Sequence, residues 1–106
     1  MMSLLANTPK PPYYAVIFTS VRRLEDNGYA KAATKMLELA EQQSGFLGIE
    51  SVSDEIGITV SYWTDLTSIK NWKANTEHLA AQKSGRTLWY EFFKVRISKV
   101  ERDYEL

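Results

Sequence analysis

Cysteine is absent from the 106 residues, so the chain can build no disulfide, thiolate nucleophile, iron–sulfur cluster or cysteine-ligated zinc. There is one histidine, which rules out a multi-histidine metal site within one chain and leaves His78 with Glu77 as at most part of a weak or intersubunit site. Neither sign of charge is in excess: thirteen basic residues balance thirteen acidic ones, too even for the broad positive field that nucleic-acid binding requires. No run approaches the ~20 apolar residues of a membrane span, and the N-terminal stretch lacks the apolar core of a signal peptide. The expected location is therefore cytoplasmic, with no membrane partner. G-x-S-x-G, G-x-x-x-x-G-K-[ST] and G-x-G-x-x-G are also missing, which removes the common hydrolase and nucleotide-binding templates.

Proline is scarce and confined to the start. Pro9, Pro11 and Pro12 predict an extended leader over residues 1–12, followed by a single domain over 13–106. The chain is 44% hydrophobic and of ordinary single-domain length, small enough that a second copy is a natural source of further burial.

The apolar pattern divides the domain into six elements. "YYAVIFTSV" (13–21) is β-branched and aromatic enough for a strand covered on both faces. A helix follows, with Asp26 or Asn27 available as its cap and Gly45 as its stop, its core stripe read as Tyr29, Ala33, Met36, Leu37 and Ala40. "FLGIESVS" (46–53) and "GITVSYW" (57–63) predict an antiparallel hairpin. A second helix starts at Asp65 or Thr67 and runs through Lys83, with a kink at Asn75 or Thr76 as an alternative. A last strand begins near Glu91.

The order β-α-β-β-α-β predicts an α+β, ferredoxin-like fold: a four-stranded antiparallel sheet with both helices on one face. Alternation places Ile58, Val60 and Tyr62 on one side of the third strand and Thr59, Ser61 and Trp63 on the other, so neither sheet face is wholly polar. A single layer with an apolar back calls for a covering partner, and a homodimer formed back to back supplies one.

Candidate functional residues cluster after residue 58. Trp63 offers a flat wall with one N–H donor, or a core aromatic. Trp72 shares a helix stripe with Ile69, Thr76 and Leu79, which fits packing against the sheet. On a continuous helix His78 lies about 120° from that stripe, facing outward, whereas a kink would redirect it. Arg86, Trp89 and Tyr90 form a basic and aromatic group after Gly85, and Arg86 can pair with an anionic substrate or remain a solvated arginine.

"YYAVIFTSVR", "QQSGFLGIES", "GITVSYWTDLTSIKNWK" and "EHLAAQKSGRTLWYE" together resemble the antibiotic biosynthesis monooxygenase family over roughly residues 13–101. The strongest elements are the turn Ser44-Gly45-Phe46-Leu47-Gly48 and the pattern of Trp63, Ile69 and Trp72. The resemblance implies a dimeric α+β barrel. It also implies small oxygenases that convert polyketide phenols to quinones without metal or flavin, alongside relatives that open the haem ring.

Carried over by position, the resemblance keeps the strand-end tryptophan as Trp63. Thr59, Ile69 and Lys83 stand where polyketide-oxidising members have asparagine, tyrosine and arginine. The helix tryptophan of haem-degrading members falls on Trp72, and Gln82 stands at the position of their haem-binding histidine, four residues after His78. The expectation taken forward is a homodimer that needs no cofactor and oxidises a small aromatic or quinone-like substrate with O2. Trp63 and His78 are its expected catalytic residues, and Thr59, Trp72, Gln82, Arg86 and Tyr90 contact the substrate. The alternatives are a non-catalytic ligand-binding or stress-associated barrel and a haem-degrading monooxygenase.

Overall fold

The computed structural model describes residues 4–83 and 88–106, the side chains of residues 78–83 excepted. Six elements follow in order: β1 (Tyr13–Arg22), α1 (Tyr29–Glu41), β2 (Phe46–Ser53), β3 (Gly57–Trp63), α2 (Leu66–Lys83) and β4 (Tyr90–Val100). The strands form one sheet in the order β2-β3-β1-β4, and each neighbouring pair is antiparallel. This is the ferredoxin-like arrangement that the pattern predicts.

Local chemistry sets the ends of both helices. Asp26 accepts from the backbone N–H of Gly28 at 2.9 Å and of Ala30 at 3.2 Å, satisfying donors that the first turn of α1 leaves without partners. Asp65 does the same for α2 by accepting from the Ser68 N–H at 2.7 Å, and this bond holds its carboxyl below the usual carboxylate range. α2 passes through Asn75 and Thr76 without interruption; their side chains bond back to the carbonyls of Asn71 and Lys73 instead of capping a second segment.

α1 stops at Glu41, before the expected Gly45, because residues 42–45 form a turn that brings the chain back against the start of α2. Gly45 has φ +90° and its carbonyl accepts from the Thr64 N–H at 2.9 Å. A Cβ there would collide with the Ser68 side chain and lie 2.6 Å from Thr64 Oγ1. Leu47 then makes a bulge opposite Trp63 and Tyr62. The glycine turn and the bulge together aim Phe46 at Trp63. Gly45→Ala combines the clash with a left-handed backbone, and is expected to cost about 3 kcal/mol of stability in a denaturant titration.

The helices share one face of the sheet. Ala40 of α1 and Ile69 of α2 pack on Trp63, with Tyr14, Val16, Phe46 and Trp72 around them. Along α1 the buried stripe is carried by Ala32 and Ala40, whereas Leu37, placed on the stripe by the sequence, is 39% exposed.

On the opposite face, Tyr13 and Ala15 are buried. Segments before β1 and after β4 reach this end of the sheet. Ala6 N–H donates to Glu50 at 3.0 Å, Thr8 Oγ1 donates to the Tyr13 hydroxyl at 3.0 Å, and Tyr13 donates to Asp103. Tyr62 donates to the other Glu50 oxygen at 2.6 Å; burial and the neighbouring carboxylate push its pKa up to about 12. The β4 part of this face is polar, with Ser98, Arg96 and Lys94 beside Ala15, Ile17 and Thr19, while the part toward β2 is apolar. Ile17, Val60, Ile58 and Val52 are linked through the strand register, and Val52 and Phe92 are 65% and 64% exposed.

Candidate active site

The helix-facing side of the sheet carries an aromatic block at each end. At the first end Trp63 is fully buried, stacked against Trp72 with ring centres 5.9 Å apart and met edge-on by Phe46 at 5.3 Å. Its indole N–H donates to Ser61 Oγ at 2.9 Å, so the buried polar atom is satisfied inside the protein.

The second block sits where β1 meets the start of β4. Tyr90 touches Phe18 and Phe93 edge-on, at 5.4 and 5.7 Å, while Phe18 and Phe93 stack at 5.4 Å. Tyr29, at the start of α1, completes the block against Trp89 and Tyr90. Arg22 lies flat on the Tyr29 ring, with Cζ 3.3 Å from its centre, and donates through Nε to the Trp89 carbonyl at 3.2 Å. Trp89 is itself buried and donates its indole N–H to the Asn27 carbonyl at 2.9 Å. Burial and the adjoining Tyr29 phenol raise the pKa of Tyr90, with Arg22 opposing the shift, so its hydroxyl stays a donor at neutral pH.

Between the blocks the floor is apolar and incompletely roofed. Val16 and Phe18 on β1 pair with Ile97 and Val95 on β4, all on the helix side, yet Val95 and Ile97 are 46% and 52% exposed. The helix-side surface of β4, at the sheet edge farthest from β2, is therefore left partly uncovered. On the other side of Phe18 its register partner is Thr59 of β3, whose hydroxyl is shared with Ser51 at 2.8 Å. An uncovered apolar surface of this kind suits contact with a flat, apolar ring, and the phenol of Tyr90 stands at one end of it.

Of the residues anticipated from sequence, Trp63, Trp72 and Thr59 share the helix side of the β3 half, and Tyr90 stands in the second block. His78 and Gln82 lie on α2, but their side chains, like the whole of Arg86, are outside the described residues. Sequence reasoning missed Arg22, which reads as the polar end of a strand. The groups that hold it, Tyr29 and Trp89, come from distant segments, so no local spacing signals the contact. Among the described residues no group of three or more acidic or histidine side chains is gathered to hold a metal ion, and no helix is long and apolar enough to cross a membrane.

Residues 12–84 match the family described as antibiotic biosynthesis monooxygenase. The chain belongs to the antibiotic biosynthesis monooxygenase family. It is 53% identical over 104 residues to the uncharacterized protein YqjZ of Bacillus subtilis strain 168, a match covering 96% of this chain and 91% of that one. Solved structures of the same fold include SnoaB of Streptomyces nogalater, a cofactor-independent oxygenase (TM-score 0.66, 10% identity, 91% of this chain and 98% of that one). PA3566 of Pseudomonas aeruginosa is similar with TM-score 0.64 and 15% identity, covering 91% of this chain and 99% of that one. At those identities the structures share the monooxygenase-family fold; the family assignment itself rests on the sequence match. The turn through Gly45 and the Trp63–Trp72 stack are where this chain's family resemblance acquires a physical role.

Proposed function

We propose that the protein is a cofactor-independent monooxygenase that oxidises a small aromatic or quinone-like molecule with O2 on the uncovered surface along β4, and that it works as a homodimer. Family membership supports the reaction class, and the aromatic and apolar surface left partly uncovered along β4 is the observation that carries the reading. In this chemistry the deprotonated substrate itself gives an electron to O2, so the protein must chiefly exclude water, hold the ring and steer a proton. Trp72 forms the wall, and Trp63, buried behind it, acts through the stacked pair. Thr59 and Tyr90 supply hydrogen bonds, His78 takes the substrate proton, and Gln82 and Arg86 contribute polar contacts. The homodimer reading is supported by the uncovered apolar back of the sheet.

The test is oxygen uptake with 1,4-dihydroxynaphthalene and no added cofactor. Uptake at least about ten-fold above the spontaneous rate is expected, equivalent to ~1.4 kcal/mol off the barrier. His78→Ala is expected to lower the enzymatic part by about 100-fold or more. A rate no higher than that of heat-denatured protein contradicts catalysis. One observation favours a second reading, ligand carriage without turnover: Thr59 with Ser51 and Ser61 with Trp63 are hydrogen-bonded to each other and present no unpartnered base. Binding of the hydroquinone without uptake is the result that supports it.

A further inference from the structure

Arg22 is the one feature of the second block that core packing leaves unexplained. Its guanidinium is immobilised from two sides, by the Tyr29 ring beneath it and by the Trp89 carbonyl at Nε. A planar cation held this way has lost much of the rotamer freedom that a solvated arginine keeps. Yet among the described residues no carboxylate forms an ion pair with Arg22. Its register partner on β4 is Tyr90, whose ring meets Phe18, and Phe18 pairs with the half-exposed Val95. A fixed cation without an ion-pair partner thus stands beside the Phe18–Tyr90–Phe93 aromatic cluster, next to the half-exposed Val95.

We infer that Arg22 is the anion-recognising residue of the uncovered β4 surface, and that its ligands are planar aromatic rings bearing a carboxylate, held by the guanidinium with the Tyr90 hydroxyl beside it. The inference rests on the proposed use of that surface and narrows the substrate class on it. The ring lies over Phe18 and toward Val95, and the carboxylate meets the N–H groups of Arg22 that the Trp89 carbonyl leaves free. A guanidinium suits this task because its fork matches both oxygens of a carboxylate, which a lysine cannot do. The high pKa of Tyr90 fits the same role, since a phenol that stays protonated donates to an anion and does not repel it.

The experiment is calorimetric titration of the full chain with 2-naphthoate and with 2-naphthol, which share a ring and differ in charge at neutral pH. Naphthoate is expected to bind about ten-fold more tightly than naphthol. Arg22→Gln is expected to erase that preference, and Arg22→Lys to keep only part of it. Because a variant at a packed position can unfold, the wild type is also titrated at about 50 and about 500 mM salt, where naphthoate affinity should fall several-fold and naphthol affinity should hold. Equal affinity for both ligands in the wild type, or a preference that survives in folded Arg22→Gln, overturns the role of Arg22 while leaving the β4 surface as a ring-binding site. Failure of both ligands to bind overturns both.

Discussion

Replacing Trp63 with alanine is expected to remove about 3–5 kcal/mol of folding stability, the usual cost of deleting a large buried aromatic. The total available to a domain of this kind is about 5–15 kcal/mol, so the variant should be partly unfolded near room temperature or show a sharply lower denaturation midpoint. The reason is position. Trp63 joins the end of β3 to both helices through Ala40 and Ile69, and Phe46 and Trp72 lean on its ring. Trp63→Phe keeps a ring but removes the N–H that Ser61 accepts, and should cost less, about 1–3 kcal/mol. Trp72→Ala should also cost less than Trp63→Ala, because Trp72 is only half-buried. Circular dichroism in a denaturant series measures all three; a Trp63→Ala midpoint near that of the wild type would show that the core is centred elsewhere.

The second large effect concerns assembly. The back of the sheet keeps an apolar strip through Ile17, Val60, Ile58 and Val52 that neither helix reaches, bordered by the part-buried hydrogen bonds of Tyr13 to Asp103 and of Tyr62 to Glu50. If two copies cover these strips, Ile17→Lys places a charge at the centre of the interface, beside Arg96 in the register. Truncated or mismatched charge in a buried interface costs about 2–5 kcal/mol, so the dissociation constant should rise by at least about 30-fold. Sedimentation of the wild type should give twice 12.2 kDa at micromolar concentration, and Ile17→Lys should move it toward 12.2 kDa without loss of folded signal. A wild type that sediments as a monomer removes the homodimer from the proposal.

The elements that repeat a local period were legible in the sequence. Phe46–Ser53 and Gly57–Trp63 fall where alternation and the intervening turn place them, and Asp65 caps α2 as a short polar residue before an apolar stripe should. Two errors have a common cause. Gly45 is a good helix stop by type, yet the helix ends four residues earlier because the turn must fit against Ser68, a contact across more than twenty positions. Leu37 has the spacing of a core residue, but the small Ala32 and Ala40 carry the close approach.

For the site, the Trp63–Trp72 pair was visible as two aromatics on inward positions. Trp63's own N–H acceptor, two residues back on the same strand face, is likewise implied by the alternation of β3. The Arg22–Tyr29–Trp89 grouping was not legible, since it depends on how the ends of β1, α1 and β4 converge. Neither were the bonds from Ala6 to Glu50 and from Tyr13 to Asp103, which span 44 and 90 residues.

Everything functional depends on a ring-sized molecule entering between sheet and helices along β4. Methyl-resolved NMR of the full chain titrated with 1,4-dihydroxynaphthalene under nitrogen tests this directly, because the two faces of the sheet carry different methyl groups. The expected result is a saturable shift of Val95, Ile97 and Val16, with Val60, Ile58 and Val52 unmoved. Shifts confined to Val60, Ile58 and Val52, or none at saturating ligand, would contradict it.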